Sequence, residues 1–399
     1  MSSVLVTAEF NPLHLGHAHF LSQVRRAHPG CLLVCLMSGN FVQRGSPAVA
    51  DRWVRSGMAL KAGADVVLEL PALYAVQGAA GFARGAVRIA DRLGADVLAF
   101  GAESAQIEPL ERAAALFREE PPQMAAAIRD GRRRGLNQGA ARQRALAAAD
   151  PALAPLLSGP NNTLAIEYLS ALDEIHSAVR PYLVVRTAIH GCRPSAQQVR
   201  AELQQADDPG DVLRRWGVPL CFTPVFAEEE LYRLGLYRLR TTAREQLLAT
   251  ADVSPALAAR LHGAAAAPDY GQFQQAASTR WLPRARVRRA LLNLVLGFTR
   301  DRLLEVNAPE CPLHVRLTGL RQEAAAAFGK FASAAKVPII SSCARYPETT
   351  LAWGDLAAAD LYAVIRSPLQ DPAGDKAHRI VIADGSELLN LPASEAWIG

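Results

Sequence analysis

The sequence predicts a doubly wound α/β domain with a mainly parallel sheet, followed by a mainly helical second half. Three observations carry that expectation. Short apolar runs alternate with longer helical patterns through the first hundred residues. The runs are apolar almost throughout rather than at every second position, which marks strands of a parallel sheet covered on both faces. Each connection between runs is also long enough to hold a helix, and right-handed crossovers then wind the chain into such a sheet.

Taken in order, residues 4–8 read as the first strand and 16–27 as a helix. A second strand follows at 32–37, then a helix over 51–62 that Asp51 caps, and a third strand at 65–70. A helix over 78–93 leads to the fourth strand at 96–100. From 106 to 149 the pattern is helical and basic, with Arg129, Arg132, Arg133, Arg134, Arg142 and Arg144 in one stretch. Residues 158–160 break it, and 161–172 read as a helix opened by an asparagine cap. The fifth strand is expected at 182–186, and a further helix at 195–204, capped by Ser195 or the turn before it. Asp207-Asp208-Pro209-Gly210 mark a loop, dividing the chain into domains 1–210 and 211–399. The second of these begins helical, holds another arginine cluster between 280 and 302, and ends with strand-like runs at 337–340 and 380–382.

Composition narrows the classes. At 399 residues, half of them apolar and 20% charged, the chain has ample material for a core and is no disordered scaffold. A net charge of +5 permits a nucleic-acid partner without demanding one. Six cysteines with no C-x-x-C pair form neither a disulfide framework nor a zinc knuckle, and Cys31 and Cys35 read as small core residues. The N-terminus has no basic segment leading into an apolar core and a small-residue cleavage site. No run approaches the ~18 apolar residues of a membrane span. A cytoplasmic protein without a membrane partner is expected.

The local signal for chemistry is Glu9-Phe10-Asn11-Pro12-Leu13-His14-Leu15-Gly16-His17, directly after the first strand. Parallel sheets bind ligands beyond the carboxyl ends of their strands. A helix opening there presents unpaired N–H groups and a positive dipole end, which suit phosphate. His14 and His17, three apart, can face the same anion and stabilise charge that builds up during displacement at phosphorus. A metal cluster, with His19 as a third ligand, is the competing reading, but no matching Cys or carboxylate set stands at ligand spacing. No metal site is assigned.

His14-Leu15-Gly16-His17 resembles the signature of the nucleotidyltransferase superfamily, which also includes class I aminoacyl-tRNA synthetases. The superfamily's second motif resembles Ser195-Ala196-Gln197-Gln198-Val199-Arg200, with Arg200 facing the departing phosphates. Residues 8–12, 37–45, 69–71, 100–103 and 160–164 together resemble one family, the bacterial tRNA(Met) cytidine acetate ligases. The resemblance implies catalytic roles for His14, His17 and Arg200. It implies ATP contacts at Thr7, Ala8, Glu9, Phe10, Asn11, Pro12, Leu13, His14, Leu15, Gly16, His17, Ala18, His19 and Phe20. It implies others at Gly101, Asn161, Asn162, Arg186 and Ser195. Two positions depart from the family: Phe20 stands where a third histidine is usual, with His19 one residue earlier, and Gln197 stands where threonine is usual.

Several of these residues have structural readings beside the functional one. Gly101 can be a turn glycine, and Asn161 or Asn162 a helix cap. Arg44, in a loop after the second strand, can attract pyrophosphate, acetate or an RNA phosphate, or simply face solvent. Arg132, Arg133, Arg134 and Arg284 are candidate RNA contacts, against the alternative of solvated helix faces. Trp281 can support base stacking or belong to the core.

By resemblance, the activity is ATP-dependent: acetate attacks the α-phosphate, and the N4 amine of the wobble cytidine of elongator tRNA(Met) takes the acetyl group. Mg²⁺ is expected to travel with the triphosphate. Domain 1–210 would then bind ATP and domain 211–399 the tRNA. A small-molecule adenylyltransferase would need little beyond the sheet domain. A tRNA-binding protein with a relic nucleotide site is disfavoured by the intact His14, Gly16, His17 and Arg200. A class I synthetase is disfavoured by the lack of a lysine-rich K-M-S-K-S-like loop.

Overall fold

The computed structural model describes residues 2–134, 138–186, 194–366 and 368–384. Five strands run parallel: β1 (Ser3–Ala8), β2 (Leu32–Ser38), β3 (Val66–Leu70), β4 (Val97–Ala102) and β5 (Arg180–Val185). Their order across the sheet is β5-β4-β1-β2-β3. The chain thus winds outward from β1 in one direction through β2 and β3, then returns to start β4 on β1's other side. The switch point lies between β1 and β4, where a ligand crevice is expected.

Both faces of the sheet are covered, which is why its strands read as unbroken apolar runs. Val4, Val6, Leu33 and Cys35 point into one core layer with Leu21 and Val24 of the helix Leu15–Ala27 and Met58 of the helix Arg52–Lys61. Leu5, Leu36, Leu68 and Leu98 point the other way, against Phe82 and Ile89 of the helix Ala79–Leu93 and Ile166 of the helix Pro160–Glu174. Cys31 and Cys35 are buried and free, as expected. Asp51 caps its helix by accepting from the Val54 N–H at 2.9 Å.

Two features depart from the expectation. The helix Pro160–Glu174 begins two residues earlier than a cap at Asn161 would place it; Gly159 is its cap residue and makes no side-chain cap bond. Both asparagines lie inside the first turn. The sheet is also larger. After a helical stretch, β6 (Val315–Arg321) lies antiparallel on β3, with Val66 opposite Leu320 and Leu68 opposite Leu317 across a bulge. β7 (Ile339–Ile340) and β8 (Val381–Ala383) then pair with the two ends of β6. Arg316 and Thr318 are buried within β6, so a strand enclosed on both faces carries polar residues that break its apolar signature.

Between β5 and β6 the helices Glu228–Thr241, Pro255–Ala264, Tyr270–Ala277 and Arg284–Leu296 enclose a core of their own around Leu239, Leu257, Phe273 and Leu291. Among the described residues no helix is long and apolar enough to cross a membrane.

Candidate active site at the sheet switch point

The turn after β1 is held by buried polar groups. Arg55 is fully enclosed, and its guanidinium donates to the carbonyls of Glu9 at 2.7 Å, Ser38 at 3.0 Å and Ala50 at 2.9 Å, and to that of Gly39. It thereby ties the ends of β1 and β2 together. The Asn11 Oδ1 accepts from the Val49 N–H at 2.8 Å, and a Glu9 carboxylate oxygen accepts from the Gln43 N–H at 2.8 Å. Phe10 adopts φ +44°, an uncommon region for a bulky side chain, and its ring is packed edge-on against His17 at 5.2 Å. The Asn11–Pro12 bond is cis. Thr7 at the end of β1 shares a hydroxyl contact with Tyr168.

His14 itself is the cap of the helix Leu15–Ala27: its Nδ1 accepts from the Gly16 N–H at 3.0 Å. That bond leaves Nε2 as the proton-bearing nitrogen of a neutral ring. The His17 ring stacks on it, with centroids 3.9 Å apart and planes at 24°. The stack explains the intervening glycine, because a Cβ at Gly16 would stand 2.9 Å from the His14 ring. Burial, then the Arg186 charge and more weakly Arg200, lower the His14 pKa to about 4. Burial, then His14 and Arg186, hold His17 well below its ordinary value. Both rings are neutral donors at pH 7, and the His17 Nδ1 is buried with no partner in the protein.

The His14 shift has a stability consequence with a definite sign. The unfolded chain protonates this residue near pH 6.5 and the folded one only near 4. Stability is therefore expected to fall as pH drops from 6.5 toward 4 and then to lose this dependence. Urea titrations of wild type and His14→Gln across that window should show a shallower loss in the variant; parallel curves would refute the assignment.

A second cluster closes the other side of the crevice. The Glu103 carboxylate, just past β4, accepts from the Asn162 N–H at 2.8 Å and the Asn161 Nδ2 at 2.5 Å, so an acid from another element caps the helix Pro160–Glu174. The Asn162 Oδ1 in return accepts from the N–H groups of Glu103 and Ser104, both at 2.9 Å. Asn161 Oδ1 accepts from Arg186, at the end of β5, at 3.0 Å. The two asparagines therefore have different tasks: Asn162 locks the loop after β4, and Asn161 positions an exposed arginine. Gly101 has no unusual φ, and a Cβ there would meet the Arg186 stem at an ordinary 3.5 Å.

On the opposite flank, Ser195 caps the helix Ala196–Gln205 through the Gln198 N–H at 3.2 Å, as expected. Pro194, just before it, faces Gly16. Arg200 reaches back to donate to the Asn11 carbonyl at 2.6 Å. Among the described residues neither Arg186 nor Arg200 has a carboxylate in ion-pair contact.

The geometry is that of a helix N-terminus carrying two stacked neutral imidazoles, flanked at the switch point of a parallel sheet by two guanidinium groups that bond only neutral oxygens among the described residues. A model for the family described as HIGH Nucleotidyl Transferase matches residues 1–376. The tRNA(Met) cytidine acetate ligase of Syntrophotalea carbinolica is 34% identical over 361 residues, covering 86% of this chain and 86% of that protein. The chain belongs to this family of HIGH nucleotidyltransferases. The tRNA(Met) cytidine acetate ligase of Acetivibrio thermocellus is 32% identical, over 83% of this chain and 86% of its own. Thermotoga maritima TmcAL, solved in a crystal bound with alpha-thio ATP, superimposes with a TM-score of 0.85 at 25% identity, covering 96% of this chain and 100% of that one.

The remaining candidates of this nucleotidyltransferase scatter. Leu13 and Ala18 pack in the core, and Ala8 and Phe20 pack against it. Burial and then Arg26, on the same helix, lower the His19 pKa. Pro12 and Leu15 belong to the turn and first helical residue, with Leu15 lying against Gly217. The arginine stretch is partly neutralised: Arg134 and Arg144 share Asp130, and Arg142 pairs with Glu167 beneath a stacked Phe117. Arg133 is exposed, whereas the side chain of Arg132 lies outside the described residues. Arg284 opens the helix Arg284–Leu296 and is exposed, and Trp281 is half-buried beneath the Arg280 guanidinium at 3.8 Å. Sequence reasoning did not find Arg55, Tyr168 or the capping role of Glu103. A buried arginine bonded to four carbonyls leaves no sequence signature, whereas Glu103 sits inside a motif already noted.

Among the described residues, no three His, Cys, Asp or Glu side chains gather in metal-ligand geometry. Glu9 and Glu103 are both engaged with N–H groups.

Proposed function

We propose that this chain is an ATP-dependent ligase that acetylates the wobble cytidine of elongator tRNA(Met). The observation that carries the reading is the stacked, neutral His14–His17 pair at a helix N-terminus between Arg186 and Arg200. An acetate oxygen attacks the α-phosphorus of ATP, an α–β phosphoanhydride bond breaks, and pyrophosphate leaves with the electron pair. The imidazole N–H groups donate to the oxygens on which negative charge accumulates, and Arg200 faces the departing phosphates. Neutral rings suit this task, since they donate without needing to give up a proton. The N4 amine of the cytidine then attacks the acetyl carbonyl, AMP departs, and the amine proton passes to solvent or phosphate.

Gly101, Asn161 and Arg186 form the nucleoside side of the crevice in this reading, with Thr7, Glu9 and Asn11 shaping its floor. Mg²⁺ would be held by the triphosphate oxygens and would offset their charge. Residues 1–210 supply the adenylating site and, through exposed Arg133 beside Arg132 and the Asp130-paired Arg134, some of the phosphate contacts, while residues 211–399, with exposed Arg284, grip the rest of the tRNA in the cytoplasm.

The test is incubation with ATP, labelled acetate and tRNA. AMP and acetyl-adenylate are expected from ATP and acetate alone, because the first step needs only the crevice. Mass spectrometry of digested tRNA should place the acetyl group on the wobble cytidine, and a wobble-uridine tRNA should stay unlabelled for want of an exocyclic amine. AMP formed only with a different carboxylate or nucleotide acceptor would point to a small-molecule adenylyltransferase instead.

A further inference from the structure

The loop 38–47, after β2, is wedged between the turn after β1 and the helix Arg284–Leu296. On one side the Gln43 N–H donates to Glu9. On the other, Arg288 Nε donates to the Arg44 carbonyl at 3.2 Å, and the chain passes so close to that helix that a Cβ on Gly45 would stand 2.6 Å from the Arg289 nitrogen. Gly45 has φ +76° and cannot be replaced cheaply. This packing brings Arg44 and Arg288 to the flank where Arg200 donates to the Asn11 carbonyl.

Three guanidinium groups therefore share one flank, and among the described residues none has a carboxylate in ion-pair contact. Several arginines elsewhere in the sheet domain are paired with acids, among them Arg25, Arg52, Arg84, Arg112 and Arg142. The groups sense one another. Burial lowers the Arg200 pKa, helped by Arg44 and Arg288 against Glu9 and Glu228. Burial likewise lowers Arg288, and it pushes the Glu228 carboxyl up, toward the uncharged form. A further donor is left over at the same place: Asn11 is 2% exposed, and its Nδ2 has no acceptor in the protein. Like charges that converge with no carboxylate in contact form a site where a bound anion can supply the missing charge.

We infer that Arg44 and Arg288, with Arg200 and the Asn11 amide, form a pyrophosphate subsite that holds the β- and γ-phosphates of ATP and then the leaving group. The helical part of the chain thus supplies a residue to the adenylating site rather than only to an RNA surface. The inference rests on the reading of the crevice as an ATP site.

Arg44→Gln is the cleaner probe, because that side chain holds no other element in place; Arg288→Lys and Arg288→Gln report on the second arginine. Calorimetric titration of each variant with inorganic pyrophosphate, ATP, AMP and tRNA separates the outcomes. Pyrophosphate and ATP are expected to bind ~10-fold or more weakly in Arg44→Gln and Arg288→Gln, the scale of one lost hydrogen bond to a charged group. AMP should bind as in wild type, with Arg288→Lys intermediate. Unchanged pyrophosphate and ATP affinity in both glutamine variants would overturn the subsite, as would weaker tRNA binding alone, which would make the pair an RNA contact. Wild-type protein that binds no ATP would instead sink the adenylation reading itself.

Discussion

His17→Ala is expected to lower acetate-dependent turnover by roughly 10²-fold or more, the scale of one lost transition-state donor, while the melting temperature stays close to that of wild type. The separation follows from how differently the two histidines are held. His14 is buried and caps a helix, so removing it also removes a cap worth about 1 kcal/mol. His17 is only half-buried, touches Phe10 and His14 through ring faces, and holds no backbone group. Its contribution to folding is confined to that packing. Purified His17→Ala with unchanged turnover would remove the histidine pair from the chemistry, and a collapse in melting temperature would make it a structural residue. His14→Ala should lose both activity and stability, and the comparison of the two variants separates the roles.

Arg52→Met should reduce folding stability by about 3–5 kcal/mol, the cost of leaving a buried charge without its partner. Arg52 is 1% exposed and donates to both Glu69 oxygens at 2.5 and 2.6 Å, and to the Asp375 carboxylate at 2.7 Å. Its backbone N–H also donates to Asn40, in the loop that carries Arg44. Methionine would strand the Glu69 carboxylate in a dry layer near the end of β3 and leave Asp375, 323 residues from Arg52 in sequence, with Trp53 and Arg316 alone. Urea unfolding measures the loss. Adding Glu69→Leu should recover part of it, because an apolar replacement of comparable size avoids the unpaired charge. A single variant within 1 kcal/mol of wild type would falsify this account of the pair.

The five parallel strands are legible in the sequence because each is apolar on both faces and each is followed by a helix with a cap or turn residue at its start. The histidine turn is legible for the same reason: its position after the first strand is a matter of chain order. What sequence reading misses is pairing across the fold. Nothing local distinguishes Arg142, which pairs with Glu167 on another helix, from Arg44, which has no acid in ion-pair contact among the described residues. Asn161 and Asn162 look like caps because asparagine often is one. The cap is Glu103, 58 residues away, and only the pairing of β4 with β5 and the helix beside them makes that visible. β6 is hidden by Arg316 and Thr318, whose burial is supported by Asp375 and by the hydroxyl of Ser56.

The antiparallel seam between β3 and β6 joins residues some 250 apart, Val67 facing Gly319. On a ribosome, β3 emerges with its outer edge unsatisfied and must wait for most of the remaining protein before that edge is covered. Val66, Val67 and Leu68 present an apolar, unpaired rim for that whole interval, the kind of edge on which nascent chains adhere to one another. Adenylation chemistry at the far side of the sheet thus depends on a strand that leaves the exit tunnel some 250 residues after β3, and synthesis that stalls before β6 yields a sticky intermediate rather than a smaller enzyme.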